Sequence, residues 1–232
     1  MRAVSDISYT VRRSDRARRA RIDVGPDGVE VVVPRRMALR HVQPFVEEKR
    51  PWIERTLRRY RSAEAVVPTA RLEDGGFVPY LGRRLALRVG VERGRRRAHV
   101  AVRGDALHVR VGEPGREAIH AALTSWLRRR AREEIEPRLE AAVARAGTRY
   151  SSLSIRNQRT RWASCSSTGS MSFNHRLLLA PEEILEYVIE HEVAHLEVLD
   201  HSPRFWRLLA RRSPRYREHE RWLRRHGAAL RL

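Results

Sequence analysis

The sequence predicts an α+β protein: a β-rich N-terminal part with helices, followed by an α+β part built around one histidine-bearing helix. Three observations carry that prediction. Over residues 7–33 and 77–111, apolar and polar residues alternate in short runs, the period of half-buried strands. Over 38–61 and 115–146, apolar residues recur at helical spacing. The last third mixes short strand-like runs with helical segments, one of which carries His191-Glu192-Val193-Ala194-His195. The expected organisation is a β-rich region 1–112 with a helix near 38–61, then a second region 113–232.

Taken in order, Ile7, Tyr9 and Val11, then Ile22 and Val24, then Val29, Val31 and Val33 define three strands, read as a β-meander. Pro26-Asp27-Gly28 is the turn of its second hairpin. The first connection is a basic tract: Arg12, Arg13, Arg16, Arg18, Arg19 and Arg21. Leu39, Val42, Val46, Ile53, Leu57 and Tyr60 form the stripe of the first helix, which Pro44 and Pro51 should break or bend. A connection over 62–76, with Pro68 and Gly75-Gly76, leads to strands at 77–81, 84–91, 98–103 and 106–111. The helix from about 115 to 146 shows Ile119, Leu123, Trp126, Ile135, Leu139 and Val143 on one side. Pro137 should kink or split it, and Gly147 is its stop.

Strands follow at 153–157, 161–165 and 170–174. Pro181-Glu182-Glu183 opens the next helix, with proline early and acids at the positive end of the dipole. Ile184, Val188, His191, His195 and Leu199 form its stripe. Two helices, about 203–212 and 214–226, end the chain; Ser202-Pro203 and Ser213-Pro214 introduce them.

Composition narrows the function. An apolar fraction of 41% over 232 residues excludes a wholly disordered chain. No run approaches the roughly 18 apolar residues of a membrane span, and no apolar stretch follows Met1-Arg2 as in a signal peptide. The single cysteine, Cys165, excludes an internal disulfide framework and fits a reducing compartment. The expectation is a soluble cytoplasmic protein with no membrane partner. Lys and Arg total 48 against 28 Asp and Glu, a net charge of +20, and 47 of the 48 are arginine. A field of that sign favours anionic partners such as nucleic acid or nucleotides. Residues 181–203 reverse it: they hold seven acids and no Arg or Lys.

That window contains the chemistry. Histidines four apart on a helix share a face, so His191 and His195 can grip one ion while Glu192 stands beside it. His201 follows six residues later, where the chain can fold back before Ser202-Pro203 starts a new helix. By chance alone, a His-Glu-x-x-His would arise in about four such chains per hundred. With a histidine at the sixth place the figure falls to about two per thousand, so the set reads as metal ligands rather than satisfied core histidines. Zinc suits three neutral imidazoles with a fourth position left for water. Such an ion lowers the water's pKa from about 15.7 towards 7, and Glu192 would take the proton as general base. Glu186, Glu190, Glu197 and Asp200 are candidates to support the ligands from behind.

Here the chain resembles a known family. Arg161-Trp162-Ala163-Ser164-Cys165-Ser166, Asn174, Leu177 to Pro181, the histidine helix and His201-Ser202-Pro203-Arg204-Phe205-Trp206 look like the YgjP-like metallopeptidases. That family is also filed as a domain of unknown function among the HExxH peptidases, with SprT-like proteases as relatives. The resemblance is specific over about 149–226, through Pro214, Tyr216 and Trp222-Leu223. It extends loosely into the N-terminal part, including Tyr80-Leu81-Gly82. It implies a zincin-like α+β metallopeptidase domain, His191, His195 and His201 as metal ligands, and Glu192 as the catalytic glutamate. Ala163 stands where the family usually has Gly, and Asp200 where it usually has Asn; neither is a ligand position.

Arg161 and Asn174 could bind substrate, orient the site, or serve buried hydrogen bonding. Cys165 reads as a small buried residue rather than a nucleophile. Trp162, Phe205, Trp206 and Trp222 read as core. The leading expectation is a zinc metallopeptidase acting on peptide or protein. The alternatives are metal-dependent nucleotide pyrophosphate hydrolysis and a DNA-associated SprT-like protease, each drawing on the Arg-rich surface, notably 12–21 and Arg93 to Arg97.

Overall fold

The structure, a computed structural model, describes residues 7–15, 17–25, 28–64, 69–158 and 161–232, with the backbone alone for 59–64. Pro26, Asp27, Arg16, Pro68 and the side chain of Tyr60 fall outside the described residues. The chain forms two compact units, Met1–Val67 and Pro68–Leu232.

In the first unit, strands β1 (Tyr9–Ser14), β2 (Arg21–Gly25) and β3 (Gly28–Pro34) make a sheet in the order β1-β3-β2. The predicted meander is therefore wrong in topology. β1 runs parallel to β3, with Tyr9 opposite Val29, while β2 pairs antiparallel on the other edge. The reason lies in β3 itself. Val31, Val32 and Val33 are all fully buried, so this strand takes the centre, whereas β1 is exposed at four of six positions. Helix α1 (Val42–Glu64) lays Val42, Val46 and Ile53 onto Val29, Val31 and Val33, and Leu57 packs at the margin.

Leu39 departs from the predicted stripe, lying exposed in a short 3-10 turn, Leu39–His41. Neither proline breaks α1. Pro44 sits in the first turn, where no backbone donor is required. Pro51 lies inside the helix on an exposed position, as does Glu47, so water can reach the carbonyl left without a partner.

The second unit opens with β4 (Phe77–Tyr80), β5 (Arg83–Val91), β6 (His99–Arg103) and β7 (Ala106–Val111), in the order β4-β5-β7-β6 with a parallel β5–β7 pair. It packs on helix α2 (Arg116–Ala146), whose buried face includes Ile119, Leu123, Trp126, Leu127, Ile135 and Leu139. This sheet and helix share a core, so the compact unit starts well upstream of the 112/113 boundary drawn from the sequence. Pro137 does not split α2, which runs through it as one helix; it too is exposed. Gly147 ends the helix at φ 64°, a left-handed conformation that glycine adopts at little cost.

A third sheet, β8 (Ser152–Arg156), β9 (Ala163–Cys165) and β10 (Ser170–Asn174), has the order β8-β10-β9, with β10 central and buried at Met171 and Phe173. A 3-10 segment, His175–Leu179, then leads into α3 (Glu182–Ala194), α4 (Pro203–Arg212) and α5 (Tyr216–His226). Leu81, at φ 45°, donates its amide to the Leu178 carbonyl at 2.8 Å, tying the β4–β5 turn to that segment. Among the described residues no helix is long and apolar enough to cross a membrane.

Candidate metal centre

Helix α3 is gripped from two sides. Its apolar face buries Ile184, Leu185, Val188 and Ile189, while its acids meet arginines of α2. Arg138 binds Glu134 within α2 and reaches Glu182 and Glu186 on α3, the last at 3.0 Å; Arg145 holds Glu190 at 2.7 Å. Beyond the helix, Arg212 pairs with Glu197. The acids expected to support the ligands are thus engaged by arginine instead. The exception is Asp200, which accepts from the Ser202 amide at 3.2 Å and acts electrostatically on His195 and His201.

The helix ends at Ala194, with His195 as its cap and the following turn carrying the chain back. Leu199, placed on the helical stripe by spacing, lies beyond the end and is exposed. The early termination brings His201 to the two helical histidines. One ligand nitrogen from each of His191, His195 and His201 lies within 4.8 Å of the others. His191 Nε2 and His201 Nε2 are 3.1 Å apart. Two imidazole nitrogens sharing a tetrahedral ion at about 2.0–2.1 Å would be about 3.3 Å apart, so this spacing fits a common ion. His195 Nδ1–H donates to the Val198 carbonyl at 3.1 Å, which leaves Nε2 with its lone pair free to ligate.

Burial, and then the neighbouring His195 and His201, push the His191 pKa down to about 3; burial also lowers that of His195. These two rings are held in the neutral form that a metal needs. Glu192 is buried, and burial raises its carboxyl to about 8 despite a hydrogen bond from the Cys165 backbone on β9. Its Oε2 is buried without a partner, as is Nδ1 of His191. A buried acceptor beside three imidazoles suits a site that holds a cation.

Aromatic rings wall the cluster. Phe205, fully buried, stacks on His195 with centroids 4.5 Å apart and 26° between planes. Trp206, only half-buried, stacks on His201 at 5.5 Å. Tyr187 meets His191 edge-on at 5.9 Å. The sequence reading missed Tyr187, though it sits one turn before His191 on the same face, and it assigned Trp206 to the core.

The weaker candidates resolve differently. Asn174 is fully buried and structural. Its amide donates to the carbonyls of Gln158 and Arg161, and its oxygen accepts from the Arg176 backbone and guanidinium. Arg161 is exposed and serves that clasp through its backbone. Cys165 is half-buried; burial and then Glu192 push its thiol up to about 11, the opposite of nucleophile activation. In the basic tracts, Arg12 pairs with Glu30, Arg21 with Asp23, and Arg95 with Glu92, so part of their charge is answered locally.

The family described as YgjP-like, metallopeptidase domain, matches residues 18–226. A solved structure, the metallopeptidase zymogen of Pyrococcus abyssi abylysin, is 29% identical; the match covers 39% of this chain and 92% of that one, with a TM-score of 0.36. No curated protein matches. Family membership makes the protein a hydrolase and implies a metal, for which the three-histidine group offers a place. With the family match spanning nearly the whole chain, the protein belongs to the YgjP-like metallopeptidases.

Proposed function

We propose that the protein is a zinc metallopeptidase, with His191, His195 and His201 as ligands and Glu192 as general base. The supporting observation is the convergence of three imidazole nitrogens within 4.8 Å at the end of the helix that carries Glu192. A dication held there supplies Lewis acidity, polarising the scissile carbonyl and acidifying a water. His195 is locked in its ligating tautomer by the Val198 carbonyl, and Phe205 fixes the ring's plane. Glu192 accepts the proton of the attacking water at its unpartnered Oε2 and passes it to the departing amine. Glu192 would be ionised for this step when a cation is held by the three histidines beside it.

The test is Glu192→Gln in zinc-loaded protein, assayed on unfolded polypeptide and on nucleoside triphosphates. Zinc content should stay at one equivalent while peptide hydrolysis drops by about 10²–10⁴-fold. Unchanged peptide turnover would overturn the role of Glu192. Glu192-dependent pyrophosphate release without peptide cleavage would replace the reading with nucleotide hydrolysis.

A further inference from the structure

Beside the histidine cluster, helices α4 and α5 enclose an open pocket of about 590 Å³. Trp206 and Arg207 of α4 line it from one side, and Tyr216, Arg217, Arg221 and Arg224 of α5 from the other. All four arginines are exposed. A single acid, Glu220, shares the pocket and is held by Arg224 at 2.6 Å. Arg217 lies over the Tyr216 ring and donates to its hydroxyl at 3.0 Å. Among the described residues, neither Arg207 nor Arg221 has an ion-pair partner. Four guanidiniums face one carboxylate, so the pocket carries a net +3.

The pocket adjoins the cluster through Trp206, one of its lining residues. His201 stacks on Trp206 at 5.5 Å, and Trp206 stacks on Tyr216 at 5.5 Å with 21° between planes. Trp206 therefore forms the wall of both. Two ring steps span at most about 11 Å, the length of about three residues of extended chain at 3.3 Å each. We propose that this pocket is a substrate subsite for an acidic side chain, Asp or Glu, two or three residues from the peptide bond cut at the histidine cluster. The unpaired guanidiniums of Arg207 and Arg221 each offer a carboxylate two parallel donors. With a net +3 charge beside the cluster, the pocket complements a carboxylate side chain of a bound peptide.

The inference rests on the peptidase reading, and its test separates the two. Peptides with Glu, Gln or Lys placed two and three residues on either side of a common cleavage site are compared by kcat/KM, with wild type and Arg207→Gln/Arg221→Gln. Binding of the same peptides is followed in parallel by Trp fluorescence in the Glu192→Gln protein. Wild type should prefer Glu over Gln by about two- to fivefold at low salt, the scale of exposed charge pairs, and less at high salt. The double variant should reduce that ratio towards one, and Glu220→Gln, which frees Arg224, should raise it. No preference in wild type, or a preference that survives the double variant, overturns the proposal. Absence of cleavage with arginine-dependent binding of the Glu peptide keeps the subsite and removes the peptidase reading. Arginine-dependent binding of single-stranded DNA without discrimination among the peptides overturns the subsite in favour of a nucleic-acid surface.

Discussion

Phe205 lies flat against His195, 4.5 Å between centroids, and through that contact the core of the unit reaches a ring proposed as a metal ligand. The same Phe205 also meets His191 and His201 edge-on, at 5.0 and 4.8 Å. One buried side chain thus touches all three imidazoles. Phe205→Ala should cost about 3–5 kcal/mol, the range for a fully buried aromatic. Phe205→Leu should restore much of the stability but not the zinc affinity, because volume returns without the flat contact. Melting curves and a competitive zinc titration on both variants separate packing from ring placement.

Zinc should stabilise the folded chain by mass action. At a free concentration a hundredfold above Kd the gain is about 2.7 kcal/mol. For a chain of this size that is about 5–10 °C in Tm. His191→Ala should erase the zinc-dependent shift. A shift of the same size in that variant would show the ion binding elsewhere.

Glu134 gives the fold an acid-labile element. Burial pushes its carboxyl up, but the Tyr80 hydroxyl, Arg138 and Arg130 outweigh it, leaving the value below the ordinary 4.5. Because the folded value is the lower one, its stabilisation is fully present above pH 4.5 and is lost as pH falls through the folded value. Glu134→Gln should cost about 1–3 kcal/mol at pH 7 by leaving charged and hydroxyl partners short. It should also flatten the decline of stability below pH 4.5 in urea titrations.

Gly227 is a packing constraint. A Cβ there would lie 2.8 Å from Cζ2 of Trp162. Gly227→Ala should destabilise by about 1–3 kcal/mol through overpacking. Trp162→Phe in the Ala background should recover part of that loss, which a double-mutant cycle in guanidinium measures.

Element positions were largely legible because each rests on local periodicity: the strands of 77–111, α2 with its Gly147 stop, and α3 after Pro181 all follow from spacing. Pairing was not. That β3 lies between β1 and β2 depends on which strand is buried at Val31, Val32 and Val33, a property of the assembled sheet. The histidine set was readable because helix geometry links positions 191 and 195. The arginine partners of the acids were hidden, since Arg138 and Glu186 are 48 residues apart and meet only when α2 packs on α3. The Arg207–Arg221 pocket was equally hidden, being made by two separate helices.

The arginines of α2 do more than answer charge. An α-helix turns about 100° per residue, so sliding α3 by a single position would swing His191 and His195 away from His201. Apolar packing of Ile184, Leu185, Val188 and Ile189 opposes that rotation through shape. Arg138 and Arg145 add a directional restraint, since Glu182, Glu186 and Glu190 lie one turn apart and meet them along one stripe of the helix. The salt bridges act as a key in a keyway, indexing the helix about its own axis so that its two histidines face inward.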